Sequence, residues 1–166
     1  MNTSHIPLTG IASLSEAELF AICAARVYRE SREHSAPHCT CLQHIFVAAR
    51  MSVALPKFLE MQIVLGVDSK QTLAYEERSA QLVGSGEIAL LRALSTWQHD
   101  LASDPTSALW FVRVRAIRRI ASDAGRSFAL QMAGAGLVLP DMRAYSTPTT
   151  PLIFDATRTQ DARHVH

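Results

Sequence analysis

Cysteine is scarce in this chain, which has three of them, Cys23, Cys39 and Cys41, among 166 residues. A small secreted fold stapled by disulfides uses more cysteines and an even number of them, so that class is excluded. Long apolar runs are missing too, since none reaches the roughly 18 residues of a membrane-spanning helix. Residues 1–18 lack the basic and apolar regions of a secretory signal. We therefore expect reduced thiols, a cytoplasmic location and no membrane partner.

An excess of charge of either sign is also absent. The 16 lysines and arginines nearly balance the 15 aspartates and glutamates, which leaves a net charge of +1. No field of the whole molecule would attract nucleic acid or an anionic membrane, so an electrostatic partner must bind a local patch. Hydrophobic residues make up 48% of the chain and charged residues 19%, which is typical of a single globular domain.

Sustained alternation of apolar and polar residues, the pattern of a half-buried strand, is not found anywhere in the chain. Apolar residues recur at helical spacing instead. This pattern predicts an all-α fold, a single-domain irregular bundle of about six helices over residues 1–143. Residues 144–166 are rich in Thr and Pro and lack periodicity, which predicts a flexible C-terminal tail.

Start and stop signals divide the chain into these helices. Capping boxes at Ser15–Glu18 and Thr40–Gln43 predict the starts of the first two, and the first should end near His34. Prolines suited to a first turn open the third and sixth helices. Gly66 should end the third helix as a left-handed cap. The predicted helices cover residues 15–34, 40–53, 56–66, 68–83, 87–102 and 104–133.

Potential metal ligands are concentrated in the stretch HSAPHCTCLQH. They are His34, His38, Cys39, Cys41 and His44. Thiolates and imidazoles bind zinc and copper, and a four-coordinate zinc would need four of these five side chains. The cysteines are spaced C-x-C, however, which differs from the usual zinc spacings. The cluster is a candidate zinc site or redox-responsive pair; the alternative is that the cysteines pack as small apolar residues and the histidines are ordinary loop residues.

The segment WFVRVRAIRRIASDAGR predicts a helix with an arginine-rich face. At about 100° per residue, four arginines share about a third of the circumference, and Phe111 projects among them. These arginines are Arg115, Arg118, Arg119 and Arg126. The opposite side, directed toward a core, should carry Trp110, Val114, Ile117, Ala121 and Phe128. Arg113 falls near this apolar side, where it would have to extend to solvent or find a buried partner.

Guanidinium groups beside an aromatic ring suit phosphate or carboxylate recognition, so the arginine face predicts binding of a nucleic acid or an acidic protein surface. The alternative is the solvated face of an ordinary amphipathic helix. Residues 59–79 also have the outline of a DNA-binding helix-turn-helix, with its turn at residues 65–67 and its groove-facing residues at 70–72. Glu76 and Glu77 would repel phosphates, and any two short helices joined by Gly have this outline.

Recognised catalytic motifs are absent, including the P-loop, the dinucleotide fingerprint and nucleophile motifs. The sequence therefore favours a non-enzymatic regulatory or adaptor protein that binds a macromolecular partner through the arginine face. A metal-binding or redox-responsive protein built on the His/Cys cluster is one alternative. An enzyme whose pocket leaves no sequence motif is another. Homo-oligomerisation is left open.

Overall fold

The described part of the chain is all α-helical, as predicted. The computed structural model describes residues 10–33, 40–68 and 75–142. These residues form five α-helices and three short 3₁₀ helices, and no β-strand is found among them. The α-helices are α1 (Glu16–Glu33), α2 (Thr40–Ala48), α3 (Leu55–Asp68), α4 (Ser85–His99) and α5 (Arg115–Gly134). The 3₁₀ helices are Ile11–Ser13, Ser52–Ala54 and Pro105–Leu109. The number of α-helices is close to the predicted number.

Aromatic side chains from three helices form the centre of the core. Phe46 of α2, Phe58 of α3 and Phe128 of α5 are fully buried, and their ring centroids are 5.3–6.0 Å apart. Rings at these separations and tilts gain quadrupole attraction beyond the area that they bury. The core therefore joins α2, α3 and α5, and α4 packs against α5 beside them.

The capping box at the start of α1 forms as predicted. The Ser15 N–H donates to the Glu18 carboxylate at 2.8 Å, and the Glu18 N–H donates to the Ser15 hydroxyl at 3.3 Å. Two of the helix's otherwise unpaired N–H groups are thereby satisfied. α1 is described as far as Glu33, and its predicted end near His34 lies outside the described residues.

α2 is shorter than predicted, because it ends at Ala48 rather than continuing to Val53. Arg50 adopts a left-handed backbone conformation with φ 56°, and the Met51 N–H donates back to the Phe46 carbonyl at 2.7 Å. This is the hydrogen bond of a Schellman-type helix end. The turn directs Met51 into the core and leaves Val53 80% exposed, although periodicity assigned Val53 to the apolar face.

α3 does not end at Gly66, so the predicted glycine cap is wrong and residues 65–67 are helical rather than a turn. The Arg32 guanidinium of α1 lies against Gly66, where a β-carbon would come within 2.5 Å of the Arg32 Nη1 atom. Glycine at this position therefore provides space for a neighbouring side chain. Without a turn there, the helix-turn-helix outline is also wrong, and its groove-facing residues 70–72 lie outside the described residues.

Residues 75–84 form no helix, so the predicted fourth helix is wrong over residues 75–83; its residues 69–74 lie outside the described part. An ion pair between α1 and α4 holds this segment. Arg26 Nε donates to Glu87 Oε1 at 2.6 Å, and Arg26 Nη2 donates to Glu87 Oε2 at 2.9 Å. The guanidinium also donates to the carbonyls of Ala80 and Leu82, at 2.6 and 2.8 Å. The carboxylate accepts the backbone N–H groups of Glu76 and Gly84.

The predicted sixth helix is two elements. Asp104 caps its start as expected, accepting the Thr106 N–H at 2.9 Å, but the helix that follows is the short 3₁₀ helix Pro105–Leu109. A linker of residues 110–114 then leads into α5. Gly125 does not interrupt α5. A β-carbon at this position would lie 2.3 Å from the Trp97 ring and 2.9 Å from the Met61 sulfur, so the glycine permits close packing with α4 and α3.

Residues after α5 return along α4 in an extended segment. Gln98 donates to the Leu137 carbonyl at 3.1 Å and accepts the Leu139 N–H at 2.8 Å. Ser95 donates to the Pro140 carbonyl at 2.7 Å. The predicted tail lies beyond the described residues. None of the helices described combines the length and apolar character required to cross a membrane.

Candidate functional site

The linker between the 3₁₀ helix and α5 exposes an aromatic side chain. Trp110 is 73% exposed, whereas Phe111 is half-buried against the core and Val112 is only 3% exposed. The rings of Trp110 and Phe111 meet edge to face, with their centroids 5.9 Å apart and their planes at 85°. A continuous helix would have placed Trp110 in the core and Phe111 among the arginines. Because the helix is broken between Leu109 and Arg115, Trp110 is exposed instead and Phe111 packs against the core.

The four arginines of the predicted face have different surroundings. Arg115 and Arg119 are exposed. Arg118 is half-buried, and its Nε and Nη2 atoms both donate to the Val112 carbonyl, the Nε at 2.8 Å. Arg126 donates to the Leu101 carbonyl at 2.8 Å. Arg113 precedes α5 and is exposed. The prediction that it lies on the apolar side of the helix is therefore wrong.

Positive charge is concentrated around the start of α5. Residues 105–122 contain four arginines and no acidic residue. The first turn of α5 has no acidic residue either, although the positive end of a helix dipole normally favours one. The nearest preceding acid is Asp104. Hydrogen bonds from the Thr106 backbone and hydroxyl, aided by the charges of Arg115 and Arg118, hold the pKa of Asp104 below its usual value.

Aliphatic side chains are exposed in the same stretch. Val114 is 45% exposed and Ile120 is 48% exposed. We refer to the large exposed side chains of residues 110–120 as the Trp110 patch. The Trp110 patch consists of Trp110, Arg113, Val114, Arg115, Arg119 and Ile120. It combines an indole, aliphatic groups and three guanidinium groups on one short segment, and could therefore bind a ligand that is both apolar and acidic.

The structure describes two of the five predicted metal ligands. Cys41 and His44 are exposed on α2, three residues apart, which is a spacing that places side chains on one side of a helix. His34, His38 and Cys39 lie outside the described residues. Within the described ranges, no group of three His, Cys, Asp or Glu side chains could hold a metal ion. The zinc hypothesis stays a prediction, which elemental analysis of the purified protein would test.

A charged cleft of about 460 Å³ lies between α1 and the turn at residues 76–79. Its charges largely face partners of opposite sign. Arg29 bonds to Glu33 at 2.7 Å and also donates to the Tyr75 carbonyl, and Arg78 lies 3.9 Å from Glu30. Ser79 lines the cleft without a histidine among the lining residues that are described. Among the described lining residues, no hydrogen bond joins the Ser79 hydroxyl to a carboxylate that could act as its base, and the enzyme hypothesis stays a prediction.

Comparison of the chain with protein-family models, with curated proteins and with solved structures found no match. Support for the candidate functional site therefore comes from its geometry alone. Sequence reasoning found the arginines but missed Trp110, whose exposure depends on the end of the 3₁₀ helix at Leu109. The alternation Val112-Arg113-Val114 was the local signal of extended backbone between two helical segments.

Proposed function

We propose that this protein is a non-enzymatic adaptor or regulatory protein that binds an acidic segment of a partner protein on the Trp110 patch. The observation that carries the proposal is the 73% exposure of Trp110 within a stretch whose only charged residues are arginines. Trp and Arg are the residues that most often dominate the binding energy of protein interfaces. Exposed indole and aliphatic area is unfavourable in water, and a partner would remove it from water.

The charge of the Trp110 patch supports an acidic partner. Arg113, Arg115 and Arg119 are exposed, and none forms an ion pair with another described residue. Guanidinium groups can bind carboxylates in a bidentate arrangement. The arginines also lie near the positive end of the α5 dipole, where their own contribution to folding is unfavourable. A carboxylate from a partner would relieve this repulsion.

The aliphatic part of the Trp110 patch favours a protein over a nucleic acid. A single-stranded nucleic acid stacks its bases on aromatic side chains of the protein and places its phosphates beside cationic side chains. Exposed Val114 and Ile120 would instead find apolar side chains on a protein segment. With a net charge of +1, the protein also lacks the broad basic field of most nucleic-acid-binding domains.

The proposal is tested with a fluorescent amphipathic peptide made of Glu, Leu and Ala. We expect the peptide to bind and a version with Gln in place of Glu to bind far less. Trp110→Ala should weaken binding by about 10- to 100-fold, as expected for an interface anchor. Arg115→Glu with Arg119→Glu should act mainly on the association rate and on its salt dependence.

Arg50→Glu is the control for the single reversal Arg115→Glu, because Arg50 is an exposed arginine in the turn after α2 and outside the Trp110 patch. We expect Arg50→Glu to bind the peptide as the wild type does. An equal loss in this variant would show unspecific charge attraction and would contradict the proposal. Tighter binding of a single-stranded thymidine oligonucleotide than of the peptide would assign the Trp110 patch to nucleic acid instead.

A further inference from the structure

We infer that Arg118 is a positioning residue that fixes Trp110 for binding, and that it is not itself a contact for the partner. The inference rests on the proposed function, because it assigns a role within the same surface. It also changes the role that the sequence assigned to Arg118, which was counted there among the partner-binding arginines.

The linker is anchored at its middle residue, Val112. The Val112 side chain is buried, and its N–H donates to the Leu109 carbonyl at 3.0 Å. Its carbonyl accepts two hydrogen bonds from one guanidinium, that of Arg118. Trp110 lies two residues before this anchor and Arg113 one residue after it. The direction of the Trp110 side chain therefore depends on how firmly Val112 is held.

Arg118 differs from its neighbour Arg119 in where its donors point. Arg118 is half-buried and donates to the protein's own backbone, whereas Arg119 is exposed. A planar guanidinium can place two N–H groups on one carbonyl, which the ammonium group of lysine cannot reproduce in the same geometry. Replacing Arg118 by Lys therefore keeps the charge and removes the paired donors. Arg119 provides the matched control, since the same substitution there removes no bond to the linker.

The experiment uses full-length protein labelled with 5-fluorotryptophan, which gives one fluorine resonance each for Trp97 and Trp110. Trp97 is buried, so its resonance reports whether the core is intact. Without any ligand, Arg118→Lys and Arg118→Met should both narrow the Trp110 resonance, because the side chain becomes more mobile. Arg119→Lys and Arg119→Met should leave the width of this resonance unchanged.

Binding of the acidic amphipathic peptide is the second measurement. Loss of hydrogen bonds from a charged donor predicts that Arg118→Lys and Arg118→Met each weaken binding by about tenfold. Arg50→Lys should bind as the wild type does, because Arg50 lies outside the Trp110 patch. Wild-type peptide affinity together with a wild-type Trp110 resonance in Arg118→Lys would overturn the inference, since the positive charge would then be sufficient.

Two outcomes separate this inference from the proposed function. If the wild-type protein does not bind the peptide, the proposed function fails, and the width of the Trp110 resonance still decides whether Arg118 holds the linker. If Arg118→Met unfolds, the Trp97 resonance will move to its unfolded position, and Arg118→Lys then decides the question.

Discussion

Arg26 and Glu87 form an ion pair from which water is excluded, since their side chains are 2% and 0% exposed. Burial of two charges is costly, and the attraction between them offsets that cost only when the other polar atoms are satisfied. Here the guanidinium also reaches two carbonyls, and the carboxylate also accepts two N–H groups. The pair therefore holds the path of residues 75–84 through four hydrogen bonds to the backbone of this segment.

Removal of one member of this pair should destabilise the protein strongly. We expect Arg26→Met to lower the free energy of unfolding by about 3–5 kcal/mol, because Glu87 is left buried without a counter-charge. Arg26→Met combined with Glu87→Leu should recover part of this loss. Urea denaturation, monitored by circular dichroism, measures the free energy of unfolding of the single and the double variant.

The exposed pair Arg29–Glu33 serves as the control for this prediction. Glu33→Gln should change the free energy of unfolding by less than about 1 kcal/mol, because solvent screens this pair. Equal effects of Glu33→Gln and Arg26→Met would contradict the importance assigned to the buried pair.

At the scale of the elements, local sequence signals predicted helix starts better than helix ends. The Ser15–Glu18 box and the Asp104 cap depend on residues close in sequence, and both form. The Arg32 guanidinium of α1 lies against Gly66 within α3, and the irregular segment 75–84 is held by Arg26 and Glu87, which are 61 residues apart. The periodicity of apolar residues is a local property, so it cannot predict contacts between residues so distant in sequence.

The candidate site was predicted in part for the same reason. The arginines were evident from the sequence, because their clustering is a local property. The exposure of Trp110 and the burial of the Arg118 donors follow from the break between the 3₁₀ helix and α5. That break depends on packing of the short helix, where the Trp97 indole donates to the Pro105 carbonyl at 2.8 Å.

The charge of the Trp110 patch can be measured without a partner, because Trp110 is itself a fluorescent probe. Relative to a free uncharged tryptophan derivative in the same buffer, iodide should quench Trp110 more efficiently and caesium less efficiently at low ionic strength, since the arginines of the same stretch attract anions and repel cations. Added salt should reduce the difference, because the arginines are exposed and easily screened. Arg115→Glu with Arg119→Glu should reverse the preference.

Trp97 does not confuse this measurement, because it is buried and out of reach of both ions. The control is acrylamide, an uncharged quencher, which should quench the wild type and the charge-reversed variant equally. An iodide preference that survives the double reversal would show that other charges dominate the potential at Trp110.

At the scale of the whole molecule, two buried tyrosines link stability to alkaline pH. Tyr75 donates to Gln62 at 2.9 Å, and burial raises the pKa of its hydroxyl well above the usual value. Burial also raises the pKa of Tyr28. Both groups remain protonated in the folded state at pH values where the unfolded chain has begun to ionise. Their contribution to stability is therefore complete below the unfolded pKa and is lost as pH rises toward the folded pKa.

We expect the free energy of unfolding to fall as pH rises above about 10, by up to about 1.4 kcal/mol per pH unit from Tyr75. Tyr75→Phe should be less stable at neutral pH, since it loses the bond to Gln62, and should show a shallower alkaline slope. Urea titrations at several pH values measure both effects. An unchanged slope in Tyr75→Phe would mean that Tyr75 does not control the alkaline response.

The contact between Gly125 and Trp97 has a consequence for how this sequence can change over time. Any side chain at position 125 would overlap the indole, so a change there alone should be selected against. A related protein that carries alanine at this position should therefore carry a smaller side chain in place of Trp97, with the two substitutions inherited together. The two positions are expected to evolve as one unit, even though 27 residues of chain lie between them.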